Sequence, residues 1–128
     1  MTEAEQVARE LVKLEDWEVC AGMAVVDDHT GKRYRLTGWN GGWIGTPDGD
    51  CECHADLGKP WKWDGCVWPD LTDMATAGAV LGMLPDGWDV DCWEGFKVTT
   101  YTSPGPLSRE YHGSCLGVAA ARALMGLR

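Results

Sequence analysis

Three stretches of the chain carry apolar residues at helical spacing. Thr2 and Glu5 form a capping box at the start of the first stretch, and Val7, Leu11 and Leu14 then lie on one face of a helix that ends near Leu14. The second helix is predicted to begin at Pro69-Asp70 or Thr72 and to end at Pro85-Asp86-Gly87. Its buried face is expected to contain Leu71, Met74, Ala77, Leu81 and Leu84. The last helix begins near Ser114, and its stripe is Leu116, Ala119, Ala120, Ala123, Leu124 and Leu127.

Two other stretches alternate between apolar and polar residues, which is typical of half-buried strands. In the first, every second residue from Trp17 to Val25 is apolar, residues 27–32 form a turn, and Tyr34 and Leu36 lie on the returning strand. In the second, the apolar side is Trp88, Val90 and Cys92, the turn is Glu94-Gly95, and the return is Phe96, Val98 and Thr100. A connection rich in Ser, Pro and Gly then leads to the last helix.

Between these units, residues 39–67 lose any period and are dominated by Gly, Pro, Asp and Trp. They are predicted to form an irregular insertion with at most one short strand, Trp43-Ile44, in a single domain spanning residues 1–128. The predicted order is α-β-β-loop-α-β-β-α. This order indicates an α+β fold, in which two hairpins form one antiparallel sheet with helices packed on its faces.

Composition limits the functions that the chain can have. The formal net charge of −9 argues against the broad basic surface that duplex DNA or anionic membranes require. No apolar run approaches the roughly 20 residues of a membrane span, and the acidic start is unlike a signal peptide. The chain is therefore expected to be cytoplasmic, with its six cysteines present as thiols or metal ligands.

One cluster has the chemistry of a metal site. Cys51, Cys53, His54 and Cys66 are four ligands that could hold a tetrahedral zinc, although the C-x-C-H spacing differs from the common C-x-x-C pair. Two reduced thiols and an exposed histidine are the alternative. A nucleophilic role for His112 and Cys115 is a further alternative, but no nucleophile elbow or protease signature accompanies them.

Basic residues are scarce, and several of them lie before or on the last helix. Arg109 stands near Tyr111 and His112, and Arg122 follows on the helix. An arginine beside aromatic rings, close to the free N–H groups of a helix start, can receive a phosphate and a base. Trp93 and Phe96 complete this predicted ligand site. Solvation of the surface is the alternative role for any single arginine among them.

The second half of the chain resembles the phage ABA-sandwich domain proteins. The resemblance rests on Trp68-Pro69-Asp70-Leu71-Thr72-Asp73-Met74-Ala75-Thr76-Ala77, on the hairpin that follows, and on Cys115-Leu116-Gly117-Val118-Ala119-Ala120-Ala121-Arg122-Ala123-Leu124. It covers roughly residues 4–38 and 68–128, and residues 39–67 are an insertion relative to the family pattern.

The resemblance implies a protein encoded by a phage or prophage and acting in the bacterial host. Such proteins are similar to anti-defence sponges, which are oligomers that bind and sequester cyclic nucleotide immune signals such as cyclic ADP-ribose isomers. The expectation is therefore a non-enzymatic homo-oligomer that needs no cofactor and blocks host antiphage defence. A zinc-stabilised module that binds a host protein is the alternative, and a small hydrolase using His112 and Cys115 is a third hypothesis.

Overall fold

A computed structural model describes residues 2–15, 17, 20, 22–27, 31, 33–35, 39–40, 43–46, 49–52, 67–85, 87–101 and 108–127. In chain order its elements are α1 (Glu3–Leu11), β1 (Ala24–Asp27), β2 (Arg33–Arg35), β3 (Trp39–Asn40), β4 (Trp43–Thr46), β5 (Gly49–Glu52), β6 (Val67–Pro69), α2 (Met74–Gly82), β7 (Trp88–Asp91), β8 (Phe96–Tyr101), β9 (Ser108–Gly113) and α3 (Leu116–Gly126). The α+β class and the predicted order of helices and hairpins are confirmed. None of the helices described here is both long and apolar enough to cross a membrane.

The strands among the described residues form three antiparallel sheets of three strands each. The first sheet has the order β2-β1-β6, the second β3-β4-β5 and the third β7-β8-β9. The two predicted hairpins therefore lie in different sheets, and the expectation that they share one sheet was wrong in this detail. Each hairpin gains a third strand: β6 pairs with β1, and β9 pairs with β8.

Helix α3 lies at the centre of the fold. It packs against α1, α2, β8 and β9, and its buried residues are mostly small: Gly117, Val118, Ala119, Ala120, Ala121, Ala123 and Leu124. Small side chains allow neighbouring backbones to approach closely. The closest approach is at Gly117, where an added Cβ would overlap the backbone of Leu71.

Helix α1 forms as the sequence predicts. Thr2 is its N-cap and accepts a hydrogen bond from the backbone N–H of Glu5 at 3.2 Å. Val7 and Leu11 are buried, and Leu14 is half-buried beyond the helix end. A side-chain cap and a single apolar face thus account for this element.

Helix α2 begins later than predicted. Pro69 belongs to β6, where it pairs with Val25, and the N-cap is Asp73. Met74 was expected in the buried face, but it is 66% exposed because it is the first helical residue and points away from α3. Thr76 and Val80 are buried instead, together with Leu71, Ala77, Leu81 and Leu84.

Two further expectations about strands were wrong. Trp17 and Met23 are buried but lie outside any strand, and β1 begins only at Ala24. These side chains alternate with polar residues because they fill the core, not because they pair with a neighbouring strand. Residues 39–52, expected to be irregular apart from Trp43-Ile44, contain β3, β4 and β5. Dipeptides that favour turns, Gly-Gly and Pro-Asp, separate these short strands in the sequence.

Candidate functional site

The third sheet separates charge between its two faces. Residues opposite each other in an antiparallel pair share a face, and successive residues alternate. The register therefore assigns one set to the inner face, towards α3: Trp88, Val90, Phe96, Val98, Thr100, Arg109, Tyr111 and Gly113. The outer face has Asp89, Asp91, Lys97, Thr99, Tyr101, Ser108, Glu110 and His112. All three carboxylates of these strands lie on the outer face, and Arg109 is the only formal charge on the inner one.

A single cross-strand row on the inner face combines three kinds of chemistry. Trp88 pairs with Thr100, and Thr100 pairs with Arg109. Trp88 is partly exposed and Arg109 is exposed, each on an outer strand of the sheet. With strands about 4.8 Å apart, their Cα atoms lie on the order of 10 Å from each other. A flat ring can stack on the indole while an anion pairs with the guanidinium.

Thr100, at the centre of this row, has an unusual environment. It is 4% exposed, and its hydroxyl is buried without any hydrogen-bond partner. A buried hydroxyl without a partner costs about 1–3 kcal/mol, so proteins generally provide one. The hydroxyl of Thr100 is enclosed by the protein, so Trp88 and Arg109, which are exposed on either side of it, are the residues of the row that a ligand can contact.

The outer face is internally bonded. The Tyr101 hydroxyl donates to Asp89 at 2.9 Å, and this hydrogen bond and the aspartate charge raise the pKa of Tyr101 above its ordinary value. Lys97 Nζ lies 3.5 Å from Glu110 Oε1, on the side away from β7. The outer face thus carries, on β7, two carboxylates that have no cationic partner among the described residues, whereas Lys97 partly neutralises the carboxylate on β9.

The structure places the residues predicted for ligand binding in different parts of the third sheet. Tyr111 lies on the inner face, where its ring packs against Gly126 of α3. His112 is on the opposite face, 3.7 Å from Glu110. Because neighbouring residues of a strand point to opposite faces, Arg109 shares a face with Tyr111 but not with His112.

Arg122, Phe96 and Trp93 are likewise separated from Arg109. Arg122 donates to Glu3 at 3.0 Å and to the carbonyl oxygen of His112 at 2.8 Å, and so links α1, α3 and β9. Phe96 is half-buried at the other end of the inner face. Trp93 is 83% exposed in the turn next to it. Arg109 therefore has Trp88, not Trp93 or Phe96, as its aromatic partner in register.

Sequence reasoning missed Trp88 and Thr100 as site residues. Both were predicted as strand residues, and the alternation of Trp88 and Val90 with Asp89 and Asp91 already indicated two chemically different faces. The strand β9 was missed altogether. Without it, nothing could place Arg109 beside Thr100.

The predicted metal ligands Cys53, His54 and Cys66 lie outside the described residues, as does the side chain of Cys51. Within the described ranges, no group of three or more His, Cys, Asp or Glu side chains could hold a metal ion. The zinc site therefore stays a prediction, which metal analysis of the purified protein can test. Cys115, the nucleophile of the hydrolase hypothesis, donates its thiol to the carbonyl oxygen of Leu71 at 3.4 Å.

A second polar cluster joins the first sheet to α2. Arg35 donates to both oxygens of Asp73, at 2.6 and 3.1 Å, and to the carbonyl oxygen of Gly22 at 2.7 Å. Asp73 also accepts from the N–H and the hydroxyl of Thr76, and the Thr76 hydroxyl accepts from the buried N–H of Ala24. The Arg35 guanidinium holds the pKa of Asp73 well below its ordinary value. Since its hydrogen bonds are satisfied internally, this cluster has a structural role.

Comparison with known proteins adds no identification, because no protein family, curated protein or solved structure matches the chain.

Proposed function

We propose that this protein is a non-enzymatic binding protein, encoded by a phage or prophage, that sequesters a small cyclic nucleotide immune signal such as a cyclic ADP-ribose isomer. One observation carries the proposal: the row of Trp88, Thr100 and Arg109 on the inner face of the third sheet. The indole would stack on the base, and the guanidinium would bind a phosphate.

The distribution of charge supports an anionic ligand at this position. The chain has a net charge of −9, which repels polyanions at long range. However, the carboxylates of the third sheet project from the outer face, away from Arg109. A small anion can therefore bind on the inner face although duplex DNA would be repelled by the whole molecule.

The proposal of sequestration also draws on the resemblance to phage ABA-sandwich domain proteins. Sequestration needs tight binding and no turnover. A homo-oligomer acting inside the infected or lysogenic host is part of this proposal.

Calorimetric titration of the purified protein with cyclic ADP-ribose isomers tests the proposal. Saturable binding is expected, with the ligand recovered chemically unchanged after the protein is denatured. Arg109→Ala should weaken binding roughly tenfold to a hundredfold, because a charge-assisted hydrogen bond contributes about 1.5–3 kcal/mol. Trp88→Ala should also weaken it. Lys97→Ala is the matched control, since it removes a cation from the opposite face and should leave affinity unchanged.

Three outcomes would contradict the proposal. Absence of binding to any cyclic nucleotide would exclude the ligand class. Recovery of a hydrolysed ligand would identify an enzyme. Equal affinity for the native protein, Trp88→Ala and Arg109→Ala would show that the row is not the site. Size measurements of the ligand-bound protein should give an oligomer, and a monomer would contradict that part alone.

A further inference from the structure

The β7–β8 hairpin concentrates the exposed apolar side chains of the described residues. Among all described residues, five large apolar side chains are exposed. Four of them lie on this hairpin: Trp88, Val90, Trp93 and Tyr101. Trp88 and Val90 are neighbours on the inner face, whereas Tyr101 lies on the outer face and Trp93 in the turn. Single exposed apolar residues are ordinary, but two neighbouring ones on an edge strand can contact a partner. The fifth, Met74, lies apart from them on α2.

Strand β7 is at an edge of the third sheet, and all four of its residues are exposed. Its hydrogen-bonding side can be read from the ladder. Tyr101 N donates to Gly87 O at 3.0 Å, so this pair exchanges hydrogen bonds, and alternate pairs do so along an antiparallel ladder. Asp89 and Asp91 therefore bond to β8, while the N–H and C=O groups of Trp88 and Val90 point to the free edge.

The charges next to this edge are not neutralised. Asp89 accepts from the Tyr101 hydroxyl, and Asp91 accepts from the backbone N–H of Trp93 at 3.0 Å. Neither carboxylate forms an ion pair with another described residue. Lys97, opposite Asp91 in register, has its ammonium group near Glu110 on the far strand instead.

From this arrangement, we infer that the free edge of β7 binds an extended, basic segment of a partner protein, which adds to the third sheet as a further antiparallel strand. Its backbone would bond to the free groups of Trp88 and Val90. Its alternate side chains would be apolar beside Trp88 and Val90, and Lys or Arg beside Asp89 and Asp91. Backbone pairing with pockets for alternate side chains is a common mode of peptide recognition. This inference does not rest on the nucleotide proposal, although both use the side chain of Trp88.

A second copy of this chain does not suit the same edge. In an antiparallel β7–β7 pair about a two-fold axis perpendicular to the sheet, opposite residues share a face. An aspartate of one copy then lies opposite an aspartate of the other when the axis passes through Asp89, Val90 or Asp91. Only an axis through Trp88 avoids this, by placing Asp89 opposite Gly87. Like charges directly opposite each other destabilise a sheet. The two aspartates therefore disfavour self-pairing and favour a basic partner.

The probe is a short peptide of alternating lysine and valine, titrated into the ¹⁵N-labelled protein. The amide resonances that shift should be those of residues 88–91. Val90→Pro removes a donor at the free edge and no hydrogen bond to β8, so it should weaken binding roughly tenfold or more. Val90→Ala is its control, because it also removes the valine side chain, by a larger truncation, and keeps the N–H.

A second variant tests the charges without touching the backbone. Asp89→Asn with Asp91→Asn keeps both internal acceptors and removes both charges. Affinity should fall about twofold to fivefold for each charge removed. A peptide of alternating glutamate and valine should not bind the native protein.

Four results would overturn the inference. The first is that the lysine peptide does not bind, and the second is that the amide resonances that shift lie away from residues 88–91. The third is that Val90→Pro and Val90→Ala bind the peptide equally. The fourth is that the native protein is a dimer that only Val90→Pro dissociates. The last would identify a second copy as the occupant. Should Val90→Pro fail to fold, the shifted amides and the double asparagine variant still decide the question.

Discussion

Asp73 is the residue whose replacement gives the most informative change in stability. Its side chain caps α2 by accepting from Thr76 N at 3.0 Å, and it forms a two-pronged ion pair with Arg35. Asp73→Ala removes both interactions. Asp73→Asn keeps the cap, because Asn caps helices as well as Asp does, but removes the charge.

The expected losses follow from these contacts. A lost N-cap costs about 1 kcal/mol, and hydrogen bonds to a charged group contribute about 1.5–3 kcal/mol when partly buried. Because Arg35 is half exposed, we take the low end for the ion pair. Asp73→Ala should therefore lose about 2–3 kcal/mol of unfolding free energy, and Asp73→Asn about 1–2 kcal/mol. For a domain of this size, each kcal/mol lowers Tm by roughly 3–5 °C.

The loss of stability at acid pH separates the contribution of the Asp73 charge from that of the helix cap. The pKa of Asp73 in the folded protein lies below its unfolded value, so the ionised form stabilises the fold above about pH 4. That stability is lost as the pH falls below 4 towards the folded pKa. The native protein should therefore lose more stability than Asp73→Asn does between about pH 5 and pH 2.

Urea unfolding followed by tryptophan fluorescence measures both effects. Arg35→Gln removes the nearer of two arginines, since Arg33 Nη2 also lies 3.6 Å from Asp73 Oδ1. It also removes the hydrogen bond to Gly22. Its loss should be similar in size to that of Asp73→Asn, and the double variant should cost less than the sum of the two single variants. Equal losses for Asp73→Ala and Asp73→Asn, or an unchanged acid profile in Asp73→Asn, would refute this reasoning.

Three further predictions concern the core and the third sheet. Gly117→Ala should destabilise the protein by about 1–3 kcal/mol in urea unfolding because its Cβ overlaps Leu71, whereas Gly78→Ala, in open space on α2, should stabilise it by about 0.5–1 kcal/mol. Thr100→Val should raise the stability of the protein by about 1 kcal/mol; a loss of stability would show that the hydroxyl has a partner. Arg122→Ala should cost about 1 kcal/mol, and a double-mutant cycle with Glu3→Gln should show coupling that falls with added salt.

The helices were the most predictable part of the fold. Thr2 and Glu5 mark the start of α1, and α3 has the small apolar stripe of a central helix. The β7–β8 hairpin was equally clear because Glu94 and Gly95 form its turn, and both adopt positive φ there, 54° and 109°. In these elements the capping and turn residues favour the same structure as the pattern of buried apolar residues.

The remaining elements depend on long-range contacts. Asp70 and Asp73 can both begin a helix, and Asp70 instead closes a turn by accepting from Thr72. Strand β9 contains only one apolar residue, Tyr111, because much of it is exposed at the sheet edge, so its period is invisible. The site was beyond sequence reasoning for a related reason. A shift of one residue in the pairing of β9 would move Arg109 to the acidic face.

The contact between Glu3 and Arg122 also bears on how the protein folds. These residues are 119 positions apart, and closing so long a loop costs about 4 kcal/mol of chain entropy, more than one exposed ion pair can offset. Packing of α1 on α3 must supply the difference. We therefore expect α1 to dock late and to detach first, so that hydrogen exchange of its amides reports a partial opening well before global unfolding. Association of these two helices would then be the last step of folding, completed after the rest of the chain has reached its native arrangement.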